Sequence, residues 1–493
     1  MSYMSGISLD ESEYRDRVYG CWLGKNIGGT LGGPYEGRKE IHSLSYYDPI
    51  PERSAPNDDL DLQLVWLQML LEKGIRPGPD DFAEYWLRHL SPYPWNEYGY
   101  CRRNLDLGLR PPVSGCYENY FVDEMGSPIR SEIWACVAPG DPQLAASLAW
   151  WDSSLDHTGG EGMYGEMFWA AVESAAFVLD DPRTLIRIGL SMIPVWSRVS
   201  RAVREAVNCR ATGVDWEAGR ERILRCFGHQ QPCNAPQNIA FTVLGWLYGG
   251  DFGEKLCAAV NCGFDTDCTG ATLGALLGIL GGRDGIPDRW KEPIGDGVVL
   301  HRFTRDLDAP RDLDEFTGRT VQVGARMIGE MSDSVQLSDK ADFPGDGLSL
   351  LMRNDRALAS LERDNMSSIK IRNGYEIALH YRGEPVIWPD LDKRLGVSLR
   401  GDVDIRICEL SVPDGWRLRE IARSKQGCDY VVKATDVEDK NRLGVQAKVN
   451  GVDLDLQYVI LGPSAVAHSE CGRNVPTCPN CHAWIGACLC SKG

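Results

Sequence analysis

Glycines at positions 20, 24, 28 and 32 recur every fourth residue, which places them on one face of a helix, and Gly270, Gly274 and Gly278 repeat the pattern far along the chain. Glycine costs ~1 kcal/mol relative to alanine inside a helix, so seven at this spacing need a compensating gain. Close packing of backbones is such a gain. If the two stripes face each other antiparallel, the end of the first helix lies beside the start of the second, which brings Glu36 next to Asp265 and Asp267. A phosphate-loop reading of the Gly20–Asn26 stretch fails, because Tyr19 stands where the first glycine belongs and Asn26 where Ser or Thr is needed.

At 493 residues the chain exceeds what one core usually covers, so two domains are expected. From residue 10 to 330 apolar positions recur at three and four, as in Leu60, Leu64, Leu67 and Leu71, which predicts a mainly α, all-helical domain. Residues 331–360 are polar, carry Pro344 and Gly345 and lack a sustained period, so they read as a linker. Over 361–465, segments such as Ser368–Ile371, Glu376–Tyr381, Val403–Leu410, Tyr430–Ala434 and Leu454–Ile460 alternate or run apolar between turn signals. They predict a smaller, β-rich, sandwich-like domain. Residues 466–493 hold five cysteines, and a disordered tail with incidental thiols is the expectation. Zinc chelation by Cys478, Cys481, His482, Cys488 and Cys490 is the alternative. Cys478 to His482 also fits a c-type haem attachment pattern, but that chemistry requires export.

Composition narrows the partners. No stretch reaches the ~18 to 20 uninterrupted apolar residues of a membrane helix, and the N-terminus has neither the basic start nor the apolar core of a secretory signal. A cytoplasmic protein without a membrane partner is expected, with its 17 cysteines mostly reduced. A net charge of -18 opposes a phosphate backbone, which excludes nucleic acid as the natural partner, although cations or helix N-termini can still hold a small anion.

Two acidic clusters open helices. Asn57 is placed to cap a helix whose first turn holds Asp58 and Asp59, and Asp265-Thr266-Asp267 opens a helix that runs to Gly281-Gly282. Aspartates at helix starts satisfy orphan N–H groups and the helix dipole, so either cluster alone is a structural commonplace. Together with Glu36 they make five carboxylates. At an effective dielectric of 20, two charges about 4 Å apart repel by ~4 kcal/mol, so such a set calls for cations among its members. Oxygen ligands without histidine suit Mg²⁺, Mn²⁺ or Ca²⁺ better than zinc.

Gly20-Cys21-Trp22-Leu23-Gly24, then Gly33-Pro34-Tyr35-Glu36, Asn57-Asp58-Asp59 and Gly263-Phe264-Asp265-Thr266-Asp267 resemble the ADP-ribosylglycohydrolase family in order and spacing. The likeness is to its dinitrogenase reductase-activating glycohydrolase type, and it covers roughly residues 12 to 290. Gly126-Ser127-Pro128-Ile129-Arg130 looks like the family's Asn-Gly-x-x-Met-Arg element, and Asp156-His157-Thr158 with Gly162-Met163-Tyr164-Gly165 is similar to its Thr-His segment. The resemblance implies an all-helical catalytic domain holding two Mg²⁺ ions, with Mn²⁺ as an alternative, that grip the ribose hydroxyls of ADP-ribose.

It further implies Asn57, Asp58, Asp59, Asp265, Thr266 and Asp267 as metal ligands. Glu36, Asp58 and Asp59 become catalytic, and Gly126, Ser127, His157, Gly162, Tyr164 and Gly165 bind substrate. Two positions depart from the family pattern: Asn57 stands for Thr or Ser, and Cys268 for Thr, a soft ligand poorly matched to Mg²⁺. The expected partner is an ADP-ribosylated or other ribosyl protein or small molecule. Alternatives are a hydrolase of another glycosyl compound and a non-catalytic, crystallin-like structural protein. The long loop Tyr93–Tyr120, with Trp95, Tyr98, Tyr100, Arg110 and Tyr117, either stacks a base or packs on the helical surface.

Overall fold

The structure is a computed structural model that describes residues 6–465 apart from 91, 92, 94, 95, 402–404, 450 and 451. The cysteine-rich tail and Trp95 lie outside the described residues. The chain divides into two compact units: Met1–Arg76, Asp123–Asp152 and Gly160–Glu362 form the first, while Pro77–Val122, Ser153–Gly159 and the chain from Arg363 onward form the second. The sequence suggests a cut at 331–360, whereas these units interleave along the chain.

The first unit is helical. Its organising pair is the helix Glu11–Gly32 and the helix Thr266–Gly281. Asp10 caps the former by accepting from the backbone N–H groups of Ser12 and Glu13. The stripes meet antiparallel: a Cβ on Gly20 would stand 2.3 Å from the Gly278 carbonyl oxygen, on Gly24 2.0 Å from that of Gly274, on Gly28 1.9 Å from that of Gly270, and on Gly32 2.1 Å from that of Thr266. No side chain fits at these distances, which accounts for the glycine period. Around the pair, Trp22 stacks on Phe316 of the helix Leu313–Met331 with ring centroids 4.2 Å apart. The described helices include none long and apolar enough to cross a membrane.

Residues 331–360, read from sequence as a linker, carry regular structure. Strand β2 (Val335–Ser338) pairs parallel with β1 (Ile7–Asp10), and the short helices Gly347–Leu351 and Asp355–Leu361 follow. Four paired residues present too little period to register as a strand in the sequence.

In the second unit, antiparallel strands β3 (Ser367–Arg372), β4 (Tyr375–His380), β5 (Asp392–Arg400), β7 (Arg417–Arg423) and β8 (Gly427–Lys433) form a sheet ordered β3-β4-β5-β8-β7. Strands β6 (Ile405–Ser411), β9 (Lys440–Val449) and β10 (Val452–Leu461) form a second, ordered β10-β9-β6. Both contribute to one apolar core, with Leu379, Val397, Tyr430, Val445 and Ile460 buried in it. Leu107, Leu109, Val113 and Tyr117, from the segment 77–122, are buried in the same core. The segment expected as an aromatic loop is thus partly helical, over Asn96–Asp106 and Val113–Cys116, and its Tyr98 and Tyr117 are buried in packing.

Candidate active site

The first cluster is held by the helix Asp58–Lys73. Asn57 caps it, its side-chain oxygen accepting from the Asp59 N–H at 2.8 Å, so the amide oxygen has a structural task. Asp59 is 1% exposed, while Asp58 beside it is half-buried. Asp61, in the same turn, leaves the cluster: it accepts from the His301 N–H at 2.8 Å and from the Thr304 hydroxyl.

The second cluster starts from two residues with positive φ, Gly263 at 73° and Phe264 at 69°. At Gly263 a Cβ would also stand 2.5 Å from the Glu40 carbonyl oxygen, so only glycine fits. This sharp turn is stitched to the segment after the first glycine helix. Gly37 N–H donates to Phe264 O at 2.7 Å, Phe264 N–H donates to Arg38 O at 2.6 Å, and the Arg220 guanidinium spans Lys39 O and Cys262 O. The stitching sets Glu36 beside Asp265, as the stripe pairing predicts.

Two groups of side chains converge. Ligand atoms of Glu36, Cys233 and Asp265 all lie within 4.8 Å of one another, and so do those of Asp59, Asp267 and Cys268. Glu36 is exposed, Asp58, Asp267 and Cys233 are half-buried, and Asp59, Asp265 and Cys268 are buried. The carboxylates interact strongly. Burial, with Glu36 next in weight, pushes Asp265 up to about 8. Burial and then the charges of Glu36, Asp265, Asp59 and Asp58 push Asp267 well above the usual carboxylate range. Oδ2 of Asp265 and Oδ1 of Asp267 are buried without a hydrogen-bond partner. Buried acceptors in that state cost ~1–3 kcal/mol each, and a cation between them would satisfy both, so these residues fit a divalent metal.

Thr266, the remaining expected ligand, is fully buried and its hydroxyl donates to Gly32 O at 2.8 Å, tying the two glycine helices together. Behind the cluster, Lys25 is 1% exposed, with its ammonium 2.7 Å from Glu132 Oε1 and 3.6 Å from Asp59 Oδ1. Burial alone would lower its pKa, but Glu132 and Asp59 outweigh that and hold it charged. Gln63 donates to the other Glu132 oxygen at 2.6 Å and accepts from the Ile133 N–H at 2.8 Å. Sequence reasoning missed Lys25, Glu132 and Cys233. Their partners are distant in sequence, Glu132 standing 107 positions from Lys25, and no local period marks them.

The expected substrate contacts are dispersed. Ser127 is fully buried and donates to Glu166, while Gly126 O accepts from Arg130 Nη1 at 2.6 Å. Arg130 in turn pairs with Asp152 at 2.9 Å. On the helix Glu161–Ala176, a Cβ on Gly165 would meet Ile239 Cδ1 at 2.5 Å, so this glycine serves packing. Gly162 is buried in the same helix. Tyr164 lies edge-on to the exposed Trp196 ring, with centroids 5.8 Å apart. His157 belongs to the second unit, where it is fully buried with Nδ1 2.8 Å from Asp156 and Nε2 3.7 Å from Glu97.

The family described as ADP-ribosylglycohydrolase matches residues 10–316. An uncharacterized protein of Archaeoglobus fulgidus is 24% identical over 304 residues, covering 59% of this chain and 96% of the relative. A solved structure titled as an ADP-ribosylglycohydrolase-related protein complex is similar at 24% identity with a TM-score of 0.45, covering 64% of this chain and 99% of that one.

Proposed function

Because the chain belongs to the ADP-ribosylglycohydrolase family, we propose that it is a metal-dependent hydrolase of an N- or O-glycosidic bond to ADP-ribose, carried by a modified protein or a small molecule. The observation that carries the reading is the pair of buried carboxylate oxygens, one of Asp265 and one of Asp267, that lack hydrogen-bond partners within one acidic cluster. Asp58, Asp59, Asp265, Asp267 and Glu36 would hold the ions, two Mg²⁺ or Mn²⁺. When bound, such ions supply charge that orients a sugar diol and readies a water.

The protein's own groups divide the remaining work. Lys25 fixes Asp59 from behind through its ion pair, and the Asn57 cap fixes the turn that presents Asp58. Glu36, exposed and next to the Gly37–Phe264 bond, would take the proton of the attacking water. Cleavage of a ribosyl bond passes through an oxocarbenium-like state, which the surrounding carboxylates stabilise by charge.

The test is a turnover panel of ADP-ribosyl-arginine, ADP-ribosyl-serine, poly(ADP-ribose), O-acetyl-ADP-ribose and simple ribosides with Mg²⁺. Release of ADP-ribose or ribose, lost on chelation and in Asp58→Ala and reduced at least ~100-fold in Glu36→Gln, is the expected result. Turnover indifferent to chelator and to Asp58→Ala would end the reading.

A further inference from the structure

We infer that the carboxylate site is a mixed oxygen and sulfur cation site, with Cys233 and Cys268 each supplying a thiolate, and that it takes a borderline divalent cation such as Zn²⁺ in preference to Mg²⁺. The inference rests on the cation reading above and departs from it in the identity of the metal. Each of the two converging groups contains two carboxylates and one thiol: Glu36, Asp265 and Cys233 in one, Asp59, Asp267 and Cys268 in the other. In the second group the Cys268 thiol already contacts Asp59 Oδ2, at 3.7 Å. An independent pointer to a ligand is Asp265, whose carboxylate is 1% exposed with Oδ2 unpartnered.

A cysteine in a protein interior usually serves as a small apolar residue, and Cys209, Cys257 and Cys262 are buried in that way. Cys233 differs, since it is half-buried, precedes the helix Ala235–Tyr248 and faces two carboxylates. Mg²⁺ demands an octahedral shell of oxygens, whereas Zn²⁺ binds thiolate and carboxylate together and is often held by three protein ligands with a fourth position open. Two carboxylate oxygens and one sulfur make such a set. On binding, the sulfur–metal bond replaces the S–H bond and the proton leaves to solvent.

The full chain, stripped by chelator, is titrated with Zn²⁺, Cd²⁺ and Mg²⁺ while Tm is followed, in wild type, Cys233→Ser, Cys268→Thr and Asp265→Asn. Sulfur-to-Cd²⁺ charge-transfer absorbance is read in parallel. The five tail cysteines are common to all variants and cancel in the differences. Half-maximal stabilisation is expected at Zn²⁺ concentrations about 100-fold below Mg²⁺, with each cysteine substitution weakening Zn²⁺ about tenfold, sparing Mg²⁺ and lowering the charge-transfer band. An unchanged Zn²⁺-to-Mg²⁺ ratio in both cysteine variants, while Asp265→Asn removes cation stabilisation, overturns the sulfur inference alone. Absence of stabilisation by any cation in wild type overturns the cation reading with it.

Discussion

Asp267 shows what a carboxylate does when its neighbours share its sign. Burial and four other carboxylates push its pKa up, so in the metal-free protein its charge works against the fold. Asp267→Asn is expected to raise the Tm of the chelated protein by roughly 2 °C and to abolish the stabilisation by added divalent cation that the proposed site predicts for wild type. A scanning calorimeter run with and without metal checks both halves. Lys25 is the opposite case, a buried cation whose loss strands Glu132 and Asp59. Lys25→Met should cost ~3–5 kcal/mol by urea unfolding, and Lys25→Met with Glu132→Gln should cost less than the sum of the two. The aspartates of this site were legible in the sequence because helix starts announce themselves through caps and neighbouring glycines. Lys25 was not, since a buried lysine looks like a surface one until its partner is known.

The two glycine helices carry the strongest link between sequence and site. A period of four on one helix says that something approaches closely, and a second such helix supplies the partner, so both the antiparallel pairing and the placing of Glu36 followed from spacing. Gly28→Ala would set a methyl 1.9 Å from the Gly270 carbonyl oxygen. The clash should cost at least ~3 kcal/mol, well beyond the ~1 kcal/mol that alanine contributes as a helix former. Gly281→Ala, at an exposed helix end with open space around it, should be neutral or stabilising by less than ~1 kcal/mol. Chemical denaturation of the two variants side by side measures the contrast. The sheet elements were legible in proportion to their alternation. Strand β8, with its period-two burial, was found in part, whereas β7 is an exposed edge strand along its whole length and offered no period to read.

Over the whole chain, sequence suggests two successive domains and the structure has two interleaved units. The difference arises because Leu107, Leu109, Val113 and Tyr117 follow a helical stretch in sequence yet are buried with the strands. Local periodicity reports which face of an element is apolar, not which distant element covers it. A fragment ending at residue 362 would retain these four side chains and lose the sheets that bury them. It is expected to aggregate or bind a hydrophobic dye on expression, while the full chain does not. A soluble, cooperatively melting fragment would show that the helical segment finds another cover.

The carbonyl oxygens that lie against Gly20, Gly24 and Gly28 also bear on how such a site can change over evolutionary time. A side chain can rotate away from a newcomer, but a backbone carbonyl in a helix cannot. Almost every single mutation at these positions therefore meets an obstacle that no second mutation in the facing helix can relieve, because the facing residues are already the smallest available. The helix pair that sets the two clusters at a fixed separation is therefore closed to gradual drift.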